Sequence, residues 1–120
     1  MSGYRELEIY RRSYQAAKAV YEMTEGYPKS EQYGITDQLR RASLSVPLNI
    51  AEGYGKKESQ SEFKRFLKMA IGSANEMQVL IDFSKDMRFI GTEQHQKALR
   101  EYEEICKMLN VFIQRLSKNI

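Results

Sequence analysis

The chain of 120 residues has no Trp, two Pro, one Cys and one His. Each scarcity removes a class of function. One Cys excludes an internal disulfide and any cysteine-based zinc site, and one His excludes most histidine-rich metal sites. No run approaches the roughly 18 uncharged apolar residues that a membrane span needs. The opening Met1 to Glu6 lacks the apolar core of a signal peptide, so a cytoplasmic location is expected. What the chain does contain is ordinary for one globular domain spanning residues 1–120: 42% hydrophobic and 29% charged residues. A net charge of +3 permits nucleic-acid binding without arguing for it.

With so few breakers the sequence reads as four long helices and no strands. The first is expected from Arg5 to Glu25. It carries two stripes, one through Tyr10, Tyr14, Ala17 and Tyr21, the other through Ile9, Ser13, Ala16 and Val20. The second is expected from Gly34 to Tyr54, with Ile35, Leu39, Ala42, Val46 and Ile50 facing inward and a kink at Pro47. Gly53 and Gly55 are read as its terminators. The third is expected from Gln60 to Arg88, opened by a capping box of Ser59 and Glu62 and ended by Gly91. Its main stripe runs from Phe63 through Leu67, Ala70, Ala74 and Met77 to Ile81. The fourth is expected from Glu93 to Ser117 behind an N-cap at Thr92. Tyr102, Ile105 and Leu109 lie on its stripe, with Leu99, Cys106, Ile113 and Ile120 on a neighbouring ridge. Short connections make consecutive helices antiparallel neighbours, so the expected fold is an all-α, up-down-up-down four-helix bundle.

Helix 3 has a second ridge of Met69, Leu80, Phe83 and Met87, roughly 100° or more from its main stripe. A wide core stripe would explain it, and so would an oligomer interface. The angular distance favours the interface, because large exposed apolar ridges are unusual on monomers.

No catalytic constellation is found. His95 is preceded three residues earlier by Thr92, so the Glu-x-x-His pairs of a di-iron bundle cannot be built. Phosphate-loop and nucleophile-elbow motifs are missing. Cys106 is expected to be a structural thiol and His95 a solvated surface residue. Glu52 and Glu76 stand among apolar neighbours and need partners, with Arg40 and Arg41 as the obvious donors. With Gln38, Asn49 and Ser73 they suggest a buried polar network or a subunit interface. An acid–base or metal role for the two carboxylates is the sharper alternative. No metal and no cofactor are expected. The basic clusters are Arg11 with Arg12, Lys56 with Lys57, and Lys64 with Arg65 and Lys68. Ordinary solvated charge explains them in one copy. Repetition around a symmetric assembly would turn them into a phosphate-binding track.

Helix 2 and its approach read Pro28, Glu31, Tyr33-Gly34-Ile35, Gln38-Leu39-Arg40-Arg41-Ala42, Ser45-Val46 and Asn49-Ile50-Ala51-Glu52-Gly53. Helix 3 reads Glu62-Phe63, Phe66-Leu67, Ala70, Gly72-Ser73 and Glu76. Together these resemble the four-helix-bundle family encoded by intervening sequences in bacterial 23S rRNA genes, which is similar to the accessory variability determinant of diversity-generating retroelements. The resemblance implies an antiparallel bundle assembling as a homopentamer, with no known enzymatic activity. It implies RNA, a ribonucleoprotein or a protein as partner. The expected function is a non-enzymatic oligomer that binds nucleic acid through its basic clusters. The alternative is a protein-interaction scaffold with no nucleic-acid affinity. Gly72 beside Ser73 is read as a point of close helix approach.

Overall fold

A computed structural model describes residues 3–118. Ile120, expected on the ridge of the fourth helix, lies outside them. Four helices follow one another: α1 Glu8–Thr24, α2 Ile35–Gly55, α3 Gln60–Asp86 and α4 Thr92–Lys118. Among the described residues there is no strand. The helices pack sequentially, α1 on α2, α2 on α3 and α3 on α4, and α1 returns to α4. The result is the expected four-helix bundle, a rod 48 Å long and about 22 Å across.

The core is the set of inward stripes. Leu39, Val46 and Ile50 of α2 meet Leu67, Ala70, Ala74, Met77 and Ile81 of α3, and Tyr102, Ile105 and Leu109 of α4. From α1 the core takes the stripe of Ile9, Ser13, Ala16 and Val20, leaving Tyr14 and Tyr21 on the surface. Burying each Val, Leu, Ile or Met side chain of this set contributes about 1.5–3 kcal/mol.

The helix limits differ from those expected at the start of α1 and the end of α3. α1 starts later than expected, because Leu7 is extended and residues Tyr4–Glu6 form a separate short 3₁₀ turn. A second such turn, Lys29–Glu31, lies in the loop before α2. The kink at Pro47 is not confirmed: α2 is a single helix across it, and Pro47 itself is buried. α3 ends before Gly91. Arg88 adopts a left-handed φ of 66°, while its N–H bonds Lys85 O and the Phe89 N–H bonds Ser84 O. These two bonds form a Schellman cap with Arg where Gly is usual.

Ser59 does cap α3, accepting the Glu62 N–H at 3.3 Å. The reciprocal half of the box is not made: the Glu62 carboxylate accepts from Nε and Nη2 of Arg65 instead, at 3.0 and 3.1 Å. Close helix approach falls at Gly53, not Gly72. A Cβ at Gly53 would sit 2.9 Å from Phe66 Cβ and 3.2 Å from Phe63 O, while one at Gly72 would meet nothing within 4 Å.

Candidate functional site

The up-down topology sorts charge along the rod. Residues 3–14, 46–72 and 106–118 make the end where α2 turns into α3. That end holds eleven basic and five acidic side chains, a balance of +6. Residues 15–45 and 73–105 make the opposite end, with eight basic and eleven acidic side chains, a balance of −3. The modest +3 of the whole chain is therefore the difference between two unlike ends.

The basic end collects every predicted phosphate-binding candidate, in different states. Lys64 and Lys68 have no carboxylate partner among the described residues. Lys57 donates to Tyr54 Oη at 2.8 Å and lies 4.0 Å from that ring's centre. Lys56 is 3.8 Å from Glu52. Arg65 is held by Glu62 and lies over Phe66, 4.5 Å from its centre. That pairing holds the Glu62 carboxyl below its usual range. Arg11 donates only to the carbonyls of Arg5 and Glu6, so its charge is not neutralised. Arg12 differs. It grips Glu101 with two bonds of 2.8 and 3.0 Å, and this hydrogen bonding pushes its pKa up. The pair ties α1 to α4 and does not present a free cation.

The predicted polar network does not form as a buried cluster inside one chain. Gln38, Arg41, Glu52 and Glu76 are exposed. Arg41 pairs with Asp37 one turn back, Glu52 with Lys56 one turn on, and neither arginine reaches Glu52 or Glu76. Both carboxylates reach solvent, so the donors required by a buried position are not required here. Arg40 instead bonds Thr24 Oγ1 at 2.9 Å and lies over the Tyr21 ring. What remains is a smaller α2–α3 bridge: Ser45 and Ser73 share a hydrogen bond, and Asn49 donates to Ser45 O at 2.9 Å.

Three of the four residues on the second ridge of α3 are uncovered. Met69, Phe83 and Met87 are 46, 51 and 50% exposed, and Leu80 is half-buried. Leu44 and Leu48 of α2, 38 and 65% exposed, are also uncovered.

The remaining reactive side chains are engaged structurally. Cys106 is half-buried between Gln78, which donates to it at 3.3 Å, and Asn75 Oδ1 at 3.4 Å. Burial pushes its thiol pKa up, away from the nucleophilic thiolate. His95 is a correction: it is not solvated but 17% exposed, with Nε2 2.8 Å from Asp82. Among the described residues no group of three or more His, Cys, Asp or Glu could hold a metal, and no helix is long and apolar enough to cross a membrane.

Two features escaped the sequence reading. A cleft of about 470 Å³ opens between α1 and α4, over Ala16, Val20, Ala98 and Tyr102. The Tyr102 hydroxyl is buried without a partner. The three alanines at positions 16, 19 and 98 were the available signal, since small side chains cannot fill a helix seam. The charge polarity was also recoverable, by assigning helix halves to alternate ends.

These features define a class: an all-α, four-helix bundle whose surface is electrically polarised and bears an uncovered apolar ridge. Residues 5–111 match the 23S rRNA-intervening sequence protein family, and the chain belongs to that family. Its fold is similar to the crystal structure of a protein of unknown function from the S23 ribosomal protein family of Bacteroides thetaiotaomicron VPI-5482. The TM-score is 0.80 at 21% identity, over 88% of this chain and 95% of that one. No curated protein matches the chain.

Proposed function

We propose that this protein is a non-enzymatic, oligomeric bundle that binds RNA through its basic end. The observation that carries this reading is the +6 balance of that end against −3 at the other. Phosphate binding is driven by cations that release condensed counterions, and it needs no base-specific geometry. Lys57, Lys64, Lys68 and Arg11 supply charge that no carboxylate neutralises. The exposed ridge of Met69, Phe83 and Met87 supports self-association, since an apolar surface of that kind is stabilised by covering it. In a cyclic assembly with parallel rods, five copies by family resemblance, the basic ends would gather on one rim and their fields would add.

Fluorescence anisotropy of a labelled structured RNA tests the binding. Saturable binding at ~50 mM salt is expected, and no binding there sinks the reading. Light scattering tests the assembly. An oligomer is expected at micromolar concentration, reduced to folded monomers by Phe83→Asp with Met87→Asp, both exposed. The same exposed ridge favours a second reading, a protein-interaction scaffold, which predicts the oligomer without RNA affinity.

A further inference from the structure

α1 carries the least explained surface of the molecule. One of its two stripes enters the core, and the other leaves tyrosines outside it. Tyr14 and Tyr21 are 45 and 37% exposed. They stand on one face of α1, seven residues and roughly 10 Å apart. Between them and Leu44 of α2 lies a slot of about 370 Å³, floored by Ala17 and rimmed by Lys18 and Glu22.

The aromatic line continues toward the basic end. The Tyr10 ring is 5.9 Å from Tyr14 and 4.9 Å from Tyr4. Cations accompany it throughout. Arg5 covers Tyr4 at 4.8 Å, Arg40 covers one face of Tyr21 at 4.6 Å, and Arg11 and Lys18 flank the row on α1. Neither Arg11 nor Lys18 has a carboxylate partner among the described residues. Rings alternating with unneutralised cations, arranged in a line, are the surface that single-stranded nucleic acid takes: bases stack on the rings while the cations follow the phosphates. A duplex cannot use it, because its bases already stack on each other.

We infer that this α1 face is a stacking track for single-stranded RNA, entered from the basic end, with Tyr14 and Tyr21 each holding a base. This rests on the RNA-binding reading above and names the part of the RNA that is held. Tyr21 offers the ring face opposite Arg40, and Leu44 closes the slot between the two bases. Glu22 at the far rim disfavours phosphate there, which fixes where the track ends. Stacking is sequence-tolerant, so the track holds unpaired segments without selecting a sequence.

The test is anisotropy with a labelled uridine oligomer of about 12 nucleotides and a duplex of equal length, using the full chain. The expected result for Tyr14→Ala with Tyr21→Ala is a loss of at least tenfold in affinity for the oligomer, with duplex affinity unchanged. Tyr14→Phe with Tyr21→Phe keeps the rings and restores oligomer affinity to within about twofold. Circular dichroism should report unchanged helix content, since both side chains are exposed. If the unaltered protein binds the oligomer and the alanine variant binds it equally well, the track is wrong while RNA binding stands. If the unaltered protein binds neither probe, both readings fall.

Discussion

The two ends of the rod differ in packing as well as in charge. At the basic end the helices are closed by large side chains. Phe63 meets Tyr54 and Phe112 edge to face, with ring centres 6.1 and 5.5 Å away. Gly53 lets α2 touch Phe66, and Gln60 of α3 bonds the Leu116 carbonyl of α4. At the acidic end α1 and α4 part over Ala16 and Ala98 to leave the cleft. The Arg12–Glu101 pair bridges α1 and α4 beside that opening. The cationic end is therefore the one where aromatic contacts close α2, α3 and α4 on each other. Lysines and arginines on a tightly packed frame keep their spacing, and each phosphate contact then costs less ordering.

The largest expected effect comes from inverting the charge comparison. Lys57→Glu with Lys64→Glu and Lys68→Glu should lower RNA affinity about a hundredfold at moderate salt, read by anisotropy. The matching change at the other end, Glu93→Lys with Glu103→Lys, should alter affinity by less than about threefold. Equal effects from both ends would remove the polarity argument. Next in size is packing. Gly53→Ala should destabilise the fold by about 1–3 kcal/mol in urea unfolding, because its Cβ meets the Phe63 backbone carbonyl as well as Phe66. At the open end Ala98→Leu should be neutral or gain up to about 1 kcal/mol, since the cleft has room for it. A large loss there would mean that both ends are equally tight. The smallest effect is local: Arg88→Gly should raise stability by about 0.5–1 kcal/mol by relieving a left-handed arginine.

The fold was legible because helix periodicity is strong where the core is large. The limits of α2 and the start of α3 follow from Gly34, Ser59 and the stripes of Leu39 and Leu67. Misreadings arose where tertiary contacts outweigh local signals. Gly91 looks like the stop for α3, yet the Schellman bonds to Ser84 and Lys85 place the turn at Arg88. Gly72 and Gly53 are alike in sequence, and only the approach of Phe63 and Phe66 distinguishes them. Glu52 and Glu76 read as buried because their neighbours are apolar, but their own positions on the helices face solvent. Of the candidate site, the basic residues were legible individually. Their gathering at one end becomes legible only when four helix halves, distant in sequence, are assigned to alternate ends of the bundle. The tyrosine row on α1 was visible as a stripe, but the sequence did not say which of two stripes the core would take.

The central claim is that a polarised bundle holds RNA by phosphate contacts at one end. The direct test is the salt dependence with which the unaltered protein binds the single-stranded uridine oligomer, from ~50 to ~200 mM. At about −0.7 per phosphate contact, four or five contacts predict a log–log slope near −3. A slope near zero, or no binding across the range, would contradict it.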